Sequence, residues 1–547
     1  MKKITSKNYQ RNRKENFSKN FNYKEFSYKT PSELLESKPA VVPVVIIGAG
    51  PIGLSLAIDL AQRGVKTVLL DDNNIVSTGS RAICWAKRTL EIFDKLGVAS
   101  KMMEKGITWE TGRLFNGDNE VFSFDLLPDK GQKFPAFINL QQYYVEELLI
   151  ERCFELCDFI DLRFSSEVIN HSQKSDRVEI TVSCPEGEYP LKSQYMVACD
   201  GAYSPTRKRM GLSFNGEIFD EHFLIVDVSM ENPPFQSDKS ERWFWFSPTF
   251  HAGQSALLHK QAENIYRIDL QLGERVNKEK ELDPKRVRQR IKKVVKSDDF
   301  EIDWMSIYKF KCASLDRMVF DRIIFAGDSA HVVSPFGARG GNGGIHDVDN
   351  LGWKLASIIK SNVSPKILST YNDERLEAAK ENIENSSRAT NFMTPKNKMA
   401  KAFRDQVLDL SISNKFTRGL INSGRLSEPF KLKNLRLENQ FKHDPLLGSI
   451  YIDFPILSKD TKKLFLTDVL GNGYNILSFS KVKPKLPQDC NFISVGSKTS
   501  KNIDFLDYEG KGLDRYREGL NYLIRPDGYI VGIFKAIDIN ELEKYML

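Results

Sequence analysis

Several segments of this chain carry residues whose types and spacing suit nucleotide binding. In VVIIGAGPIG, Gly48, Gly50 and Gly53 stand between an apolar run and an amphipathic stretch, and the next apolar run, KTVLLDD, reaches Asp71. Glycines here permit a tight turn and close backbone approach, the following helix directs its N-terminus at a pyrophosphate, and an acid after the second strand can accept hydrogen bonds from ribose hydroxyls. The order predicts a dinucleotide-binding unit, although it does not distinguish FAD from NAD.

Two later segments add acidic residues and a glycine-rich loop. In MVACDGAYSPTR, Asp200 follows an apolar strand and is expected to cap a turn that leads into a helix near Ser204, with Arg207 available to pair with a phosphate. In RIIFAGDSAH a buried strand leads to Asp328, and SPFGARGGNGG then precedes an amphipathic helix. Such a loop lets the backbone lie against a flat ligand, toward which the helix N-terminus directs its free N–H groups.

Taken together and in this order, the three segments resemble the FAD-dependent aromatic monooxygenases, the class of para-hydroxybenzoate hydroxylase, phenol hydroxylase and 3-(3-hydroxyphenyl)propionate hydroxylase. The resemblance implies FAD as the cofactor, NADH or NADPH and O₂ as co-substrates, and hydroxylation of a small phenol-like substrate through a flavin hydroperoxide. It also implies that Asp328 binds the ribityl chain, and that Arg81 in GSRAICWAKR and Gln142 in NLQQYYVEELL contact the flavin nucleotide. The predicted cofactor-binding residues are Gly48, Ala49, Gly50, Pro51, Ile52, Gly53, Asp71, Arg81, Gln142, Asp200, Gly327, Asp328, Pro335, Gly341 and Asn342.

No catalytic base is assigned from the sequence. His251, His259 and Tyr308 are the polar candidates of the middle region, but no spacing supports any of them. His331 and His346 fall within the third segment, where a structural role is expected. The run RWFWFSP superficially resembles the tryptophan motif of flavin-dependent halogenases, but it matches poorly in its last positions and is interpreted as strand core.

The predicted fold class is α/β, with a Rossmann-like FAD-binding domain, an inserted sheet-bearing substrate domain and a C-terminal thioredoxin-like domain. The last assignment is a resemblance to phenol hydroxylase, through stretches such as RPDGY; Cys490 lacks a Cys-x-x-Cys partner, so a structural or dimer-supporting role is expected. The expected divisions are a basic disordered tail (1–40), the FAD-binding domain (41–211 and 311–385), the substrate domain (212–310), a helical connector (386–445) and the thioredoxin-like domain (446–547).

Charge and composition limit the kinds of partner that this chain is expected to bind. The net charge is +7, but residues 1–40 hold ten Lys or Arg against four Asp or Glu, so the rest of the chain is nearly neutral and nucleic-acid binding is disfavoured. No apolar run reaches the roughly 18–20 residues of a spanning helix. Seven thinly spread cysteines, an odd number, suit a reducing cytoplasm, and no metal site is predicted.

Two other functions are compatible with the sequence. A related flavoprotein could halogenate or inactivate a drug-like substrate, and a chain that keeps FAD only for stability would be a binding or structural protein. The identity of the aromatic substrate, the choice between NADH and NADPH, the oligomeric state and the role of the basic tail are not set by the sequence, which allows a homodimer.

Overall fold

The computed structural model describes residues 17–34, 40–109, 111–125, 130–233, 241–421, 427–433, 435, 441–480, 487, 490–497, 503–538, 542 and 546. The chain is a mixed α/β protein that divides into two compact units. The first unit comprises Met1–Leu126, Ala136–Val348 and Tyr371–Glu428, and the second comprises Leu127–Pro135, Asp349–Thr370 and Pro429–Leu547. None of the helices in the described part of the chain is long and apolar enough to cross a membrane.

The α-helices follow the amphipathic stretches of the sequence. They are α1 (Pro51–Gln62), α2 (Lys87–Leu96), α3 (Ala99–Lys105), α4 (Gln142–Glu155), α5 (Pro205–Arg209), α6 (Lys278–Glu281), α7 (Pro284–Val295), α8 (Gly340–Ser361), α9 (Leu368–Met393), α10 (Lys398–Ser413), α11 (Lys415–Arg418), α12 (Leu466–Val469) and α13 (Lys511–Arg515). Short 3-10 turns span Ser32–Leu34, Thr249–His251, Gly327–Ser329 and Pro365–Ile367.

The strands coincide with the apolar or alternating runs. They are β1 (Val41–Ile47), β2 (Thr67–Leu70), β3 (Cys84–Ala86), β4 (Ile107–Trp109), β5 (Thr111–Asn116), β6 (Asn119–Asp125), β7 (Phe137–Asn139), β8 (Ile160–Arg163), β9 (Glu167–Gln173), β10 (Val178–Cys184), β11 (Gly187–Ala198), β12 (Asn215–Ser229), β13 (Glu241–Phe246), β14 (Ser255–Lys260), β15 (Ile265–Gly273), β16 (Glu301–Ser314), β17 (Val319–Phe320), β18 (Ile323–Phe325), β19 (His331–Val332), β20 (Pro455–Ser458), β21 (Lys463–Phe465), β22 (Tyr474–Ser478), β23 (Cys490–Gly496), β24 (Phe505–Leu506), β25 (Asn521–Ile524) and β26 (Ile530–Phe534).

The first sheet of the first unit has a parallel centre in the order β18, β11, β1, β2, β8. Strand β17 pairs antiparallel with β18, and β10 and β9 extend from β11. Strand β1 is buried at Val44, Val45 and Ile46, as the continuous apolar run predicts for a strand covered on both faces. In such sheets ligands bind beyond the carboxyl ends of the strands, which is where the glycine turn, Asp71 and Asp200 follow β1, β2 and β11.

The second sheet runs in the order β19, β16, β12, β15, β14, β13, β5, β6, with every neighbouring pair antiparallel except β13 and β5. One face packs Leu224 and Val226 against Val287 and Ile291 of α7. Alternate residues of the same strands form the opposite face, where a second cluster contains Phe336 of the glycine-rich loop and Met393 of α9. Strands β5 and β6 belong to this sheet although they precede the predicted substrate-domain boundaries. A small third sheet joins β3, β7 and β4.

The second unit holds a seven-stranded sheet in the order β21, β20, β24, β23, β22, β25, β26. Strands β22 and β23 are parallel, whereas β22, β25 and β26 are successively antiparallel. The RPDGY segment forms the turn between β25 and β26, where Arg525 donates bidentately to Asp527 at 2.7 and 2.8 Å and Gly528 adopts a φ of +81°. Burial raises the pKa of Cys490 to about 11, so the thiol has no thiolate character near neutral pH.

The N-terminal segment 17–34 is ordered, and the prediction of a disordered tail over 1–40 is wrong for these residues. Phe21 packs against Tyr143 of α4 with ring centroids 4.3 Å apart, and Phe26 stacks on Phe164 at 4.7 Å. Glu33 forms a buried ion pair with Arg163 at 3.0 Å. The polar composition predicted disorder, but the interspersed aromatic residues find an apolar surface to bury. Residues 1–16 and 35–39 of the predicted tail lie outside the described residues.

Candidate active site

The glycine turn after β1 has the shape that its sequence predicts. Gly48 adopts a φ of +99°, and a Cβ there would lie 2.6 Å from the carbonyl oxygen of Cys199. A Cβ on Gly53 would lie 1.9 Å from the carbonyl oxygen of Gly48, so the turn and α1 can pack this closely only with glycine. Gly50 differs, because no atom lies within 4 Å of its Cβ position. The start of α1 therefore faces open space, which fits a phosphate-bearing ligand.

Asp71 closes this turn from the end of β2. Its Oδ2 accepts a hydrogen bond from the Ala49 amide at 2.6 Å, and its Oδ1 accepts one from the Asn73 amide at 2.8 Å. Burial and the neighbouring charge of Asp72 raise the pKa of Asp71 to about 7, against the opposing effect of the two amides. Pro51 and Ile52 begin α1 beside it. The structure thus brings Asp71 to the glycine turn.

Gln142 supports the loop that carries Arg81. As the first residue of α4, it accepts a hydrogen bond from the Ala82 amide at 3.2 Å and donates to Oε1 of Glu146 at 2.8 Å. Oε2 of Glu146 in turn accepts from the Ser77 amide at 2.6 Å. Burial raises the pKa of Glu146, whereas the nearby charge of Arg81 lowers it. The Arg81 side chain is exposed and available to a ligand.

Asp200 caps the turn after β11, as predicted. Its Oδ2 accepts from the Thr206 amide at 3.0 Å at the start of α5. Arg207 is used differently from the predicted phosphate contact: the side chain is buried and donates to the carbonyl oxygens of Ser329 at 2.9 Å and Ala202 at 2.7 Å. Ala202 belongs to the second motif and Ser329 to the third. The buried Arg207 side chain therefore links the two motifs by hydrogen bonds to both.

Asp328 lies in the 3-10 turn after β18, on the wall of the same crevice. Gly327 before it adopts a φ of +63°, and a Cβ there would lie 2.9 Å from Cγ1 of Ile52, so this turn abuts the start of α1. The Asp328 side chain is solvent-accessible, yet desolvation by the surrounding protein raises its pKa against the charges of His331 and Arg81. A carboxylate that is both accessible and desolvated lines a deep cleft rather than a convex surface.

The glycine-rich loop is fixed against the segment that follows Arg81. Asn342 accepts from the Ala86 amide at 2.9 Å and is buried. A Cβ on Gly341 would lie 3.3 Å from Cβ of Ala82, so the end of the glycine-rich segment, which forms the first turn of α8, closes on the segment after Arg81. The exposed Pro335 starts the loop and accepts a hydrogen bond through its carbonyl from the Ala338 amide at 3.1 Å. The described structure gives Pro335 no hydrogen bond to the other predicted site residues.

A buried charged cluster behind the crevice was not predicted. Asp347 of α8 accepts from the Gly327 amide at 2.9 Å, and its carboxylate lies 2.7 Å from Nε2 of His331 and 2.7 Å from Nε of Arg375. Burial opposes its ionisation, but the charges of His331 and Arg375 hold the pKa of Asp347 well below its usual range. Arg375 also donates to the Gly343 carbonyl at 3.2 Å. The HDVDN string offered a signal for Asp347, whereas nothing in the sequence marked Arg375, 28 residues later.

A small apolar cavity, partly open to solvent, adjoins the same loop. Its walls come from the second sheet, the glycine-rich loop, α9 and the segment after α11. The lining residues are Leu114, Phe124, Phe244, Phe246, Phe336, Gly337, Ala389, Phe392, Met393 and Ile421. Most of these side chains were not predicted, because β5, β6 and the connector were not assigned to a substrate site. This apolar lining suits contact with an aromatic ring.

The polar candidates of the middle region are not among the lining residues of this cavity. His251 lies 2.6 Å from the carbonyl oxygen of Gln271 through Nε2. His259 is buried in β14, and burial together with Arg242 and Arg267 holds its pKa well below the ordinary value. The geometry assigns no base to the cavity. Among the described residues, no group of three or more His, Cys, Asp or Glu side chains could hold a metal ion.

The chain is similar in sequence and in fold to known flavin-dependent proteins. A family described as FAD binding domain matches residues 41–386. A flavin-dependent monooxygenase of Mycobacteroides abscessus is 32% identical over 355 residues, which cover 61% of this chain and 71% of the relative. A 3-(3-hydroxy-phenyl)propionate/3-hydroxycinnamic acid hydroxylase of Mycolicibacterium smegmatis is 25% identical over 462 residues, covering 81% and 78%. The fold is similar to the crystal structure of the flavin-dependent monooxygenase PieE in complex with FAD and substrate, with a TM-score of 0.77 at 18% identity and coverage of 91% of this chain and 97% of that chain.

Proposed function

Because this chain belongs to the flavin-dependent monooxygenases that carry an FAD-binding domain, we propose that it hydroxylates an aromatic, phenol-like ring. The balanced reaction consumes the aromatic compound, O₂, NAD(P)H and one proton, and it releases the hydroxylated compound, water and NAD(P)⁺. The observation that carries the proposal is the position of the apolar cavity. Phe336 and Gly337 line it, and they belong to the same glycine-rich loop that borders the crevice of the three motifs.

The residues of the crevice fit FAD. The open space at Gly50 would take the pyrophosphate, and Asp71 would accept from ribose hydroxyls of the adenosine half. Asp328 would accept from the ribityl chain, since its carboxylate is accessible inside the cleft. Arg81 would contact the nucleotide from the loop that Gln142 supports. The other predicted contacts at Ala49, Pro51, Ile52, Gly53, Asp200, Gly327, Pro335, Gly341 and Asn342 are part of the same proposal.

Bound FAD would supply reduction by NAD(P)H and activation of O₂ for transfer of one oxygen atom to the ring. The chain supplies the environment. The phenylalanines of the cavity hold the ring and exclude water, which protects the oxygen-transfer step from unproductive loss as H₂O₂. The N-terminus of α8, which begins at Gly340, favours negative charge on a ligand beside the loop. Asp347 holds the turn of Asp328 through the Gly327 amide.

The test combines a spectrum with an isotope measurement. The purified protein, loaded with FAD, is assayed for NAD(P)H oxidation with a panel of phenols, and the product is formed under ¹⁸O₂. We expect stimulation of oxidation by at least one phenol, little H₂O₂, and one ¹⁸O atom in the product. Oxidation that no phenol stimulates would favour an FAD-binding protein without hydroxylase activity, and a halogenated product would favour the halogenase alternative.

We also propose a thioredoxin-like second unit, a reducing cytoplasmic location and a homodimer. The parallel β22–β23 pair, followed by the antiparallel β25–β26 hairpin, supports a thioredoxin-like arrangement in the second unit. All seven cysteines are free, which supports a reducing cytoplasm. A homodimer is proposed from the family resemblance alone, and the mass of the protein in solution tests it.

A further inference from the structure

The cavity beside the glycine-rich loop is walled by aromatic side chains. Five of its lining residues are phenylalanines: Phe124, Phe244, Phe246, Phe336 and Phe392. Phe246 and Phe392 meet edge to face with ring centroids 5.6 Å apart, and Phe336 packs in the same way against Phe310 at 5.7 Å. Aromatic side chains of this kind favour contact with a further ring, edge to face or offset-stacked. A carboxylate placed among them would lose its hydration without gaining a polar partner from the lining residues.

A buried arginine that packs against a lining ring of the cavity is already engaged with protein acceptors. Arg404 is buried over the ring of Phe246 at 5.4 Å, where it donates to Asp405 at 2.9 and 3.0 Å and to the Met393 carbonyl at 3.4 Å. Its charge is therefore matched by a carboxylate of the same helix. A substrate carboxylate would have to displace Asp405 to use it.

Two further arginines stand behind the cavity wall with acceptors of their own. Arg339, next to the lining residue Gly337, donates to Oδ1 of Asn382 at 3.3 Å. Arg418 lies over Phe122 and donates to the carbonyls of Ser411 and Ile412 at 2.9 and 3.1 Å. Each of these guanidinium groups thus donates to an acceptor of the protein.

From these observations we propose that the substrate is an uncharged, hydrophobic phenol whose substituents carry no carboxylate. The inference rests on the proposed function and names the substrate class of the same site. This substrate class differs from the compound in the name of one relative, 3-(3-hydroxy-phenyl)propionate, because that compound carries a carboxylate. The distinguishing feature is the wall of phenylalanines, together with the pairing of Arg404 by Asp405.

The experiment compares two ligands of nearly equal shape on the FAD-loaded protein. In 3-(3-methylbutyl)phenol an isopropyl group replaces the carboxylate of 3-(3-hydroxyphenyl)propionate, and calorimetry gives both affinities without relying on turnover. We expect the neutral phenol to bind at least tenfold more tightly and to be the better stimulator of NAD(P)H oxidation. Equal or tighter binding of the acid overturns the inference, as does failure of neutral phenols, from phenol to the 3-methylbutyl compound, to bind.

Paired variants at Phe124 make the test independent of that comparison. Phe124 is half-buried on β6 at the edge of the sheet, where a polar replacement disturbs the core least. Phe124→Arg is expected to raise the affinity for the acid about tenfold and to lower that for the neutral phenol, whereas Phe124→Leu should keep the neutral preference. If Phe124→Arg does not fold, the wild-type comparison still decides. Failure of the wild-type protein to bind FAD would instead count against the proposed function.

Discussion

The carboxylate of Asp347 accepts a hydrogen bond from the backbone amide of Gly327 at 2.9 Å, so a side chain of α8 fixes the turn that presents Asp328. The same carboxylate is completely buried and pairs with His331 and Arg375. Two parts of the site, the turn after β18 and the helix after the glycine-rich loop, are therefore joined by one buried charge.

Replacing Asp347 by Asn should damage both stability and cofactor binding. The variant leaves Arg375 buried without its anionic partner, which typically costs about 3–5 kcal/mol of unfolding free energy. We expect FAD affinity to fall at least tenfold, because an Asn side chain offers one acceptor oxygen where Asp347 uses two, one for the Gly327 amide and one for Arg375. Denaturant unfolding and flavin titration measure the two effects. Asp373→Asn, an exposed change on neighbouring α9, is the control and should leave both near the wild-type values. A wild-type flavin affinity in Asp347→Asn would contradict the positioning role.

Asp71 should make the FAD-free protein less stable as the pH rises. Its pKa is raised in the folded protein to about 7, above the roughly 3.9 of an unfolded chain. The folded state therefore holds the extra proton, and the contribution of Asp71 to stability is full below pH ~4 and is lost as the pH rises through about 7. The difference in unfolding free energy, Asp71→Asn minus wild type, should therefore increase between pH 5 and 7.5. If the difference between the two proteins stayed constant over this range, the raised pKa would be wrong.

The glycine turn permits a separation of folding from ligand binding. Gly53→Ala should prevent folding or FAD binding, since its Cβ would overlap the Gly48 carbonyl at 1.9 Å. Gly50→Ala meets no protein atom within 4 Å, so its melting temperature without FAD should match wild type. Its affinity for FAD should nevertheless fall about tenfold, or ~1.4 kcal/mol, because the added methyl enters the space proposed for the pyrophosphate. Unchanged flavin affinity in Gly50→Ala would place the nucleotide elsewhere.

The N-terminal segment should support the loop of Arg81. Ser18 donates from Oγ to Asp303 at 2.7 Å, the Asn20 amide donates to the same carboxylate at 2.8 Å, and the Tyr23 hydroxyl accepts from the Gly79 amide at 3.3 Å. Asp303→Ala leaves two donors without their acceptor, a cost of about 1–3 kcal/mol.

Limited proteolysis and flavin titration check this role. Asp303→Ala should expose residues 17–34 to cleavage and weaken FAD binding several-fold, because Tyr23 then no longer steadies Gly79. Thr30→Ala removes only an exposed hydrogen bond to Glu186 and is the control. If Asp303→Ala were cleaved faster but bound FAD as wild type does, the segment would be a structural cover without influence on the site.

The sequence predicted those parts of the fold that depend on local pattern. The glycine turn, Asp71 after β2 and the alternating strands of the middle region are all where periodicity and turn chemistry put them, because neighbours along the chain determine them. Contacts between residues far apart in the sequence could not be predicted from local pattern. No local pattern predicts the contact of Arg375 with Asp347 or the pairing of β5 with β13. The polar composition of the N-terminal segment predicted disorder, although its aromatic residues make the contacts that order it.

Whether the crevice binds FAD is tested by titrating the FAD-free wild-type protein with FAD, followed by flavin fluorescence, with Gly50→Ala measured in parallel. We expect one FAD per chain and about tenfold weaker binding by the variant, whose fold is unchanged. A wild-type protein that folds but takes up no FAD would contradict this expectation, since the crevice of the three motifs would then not be a flavin site.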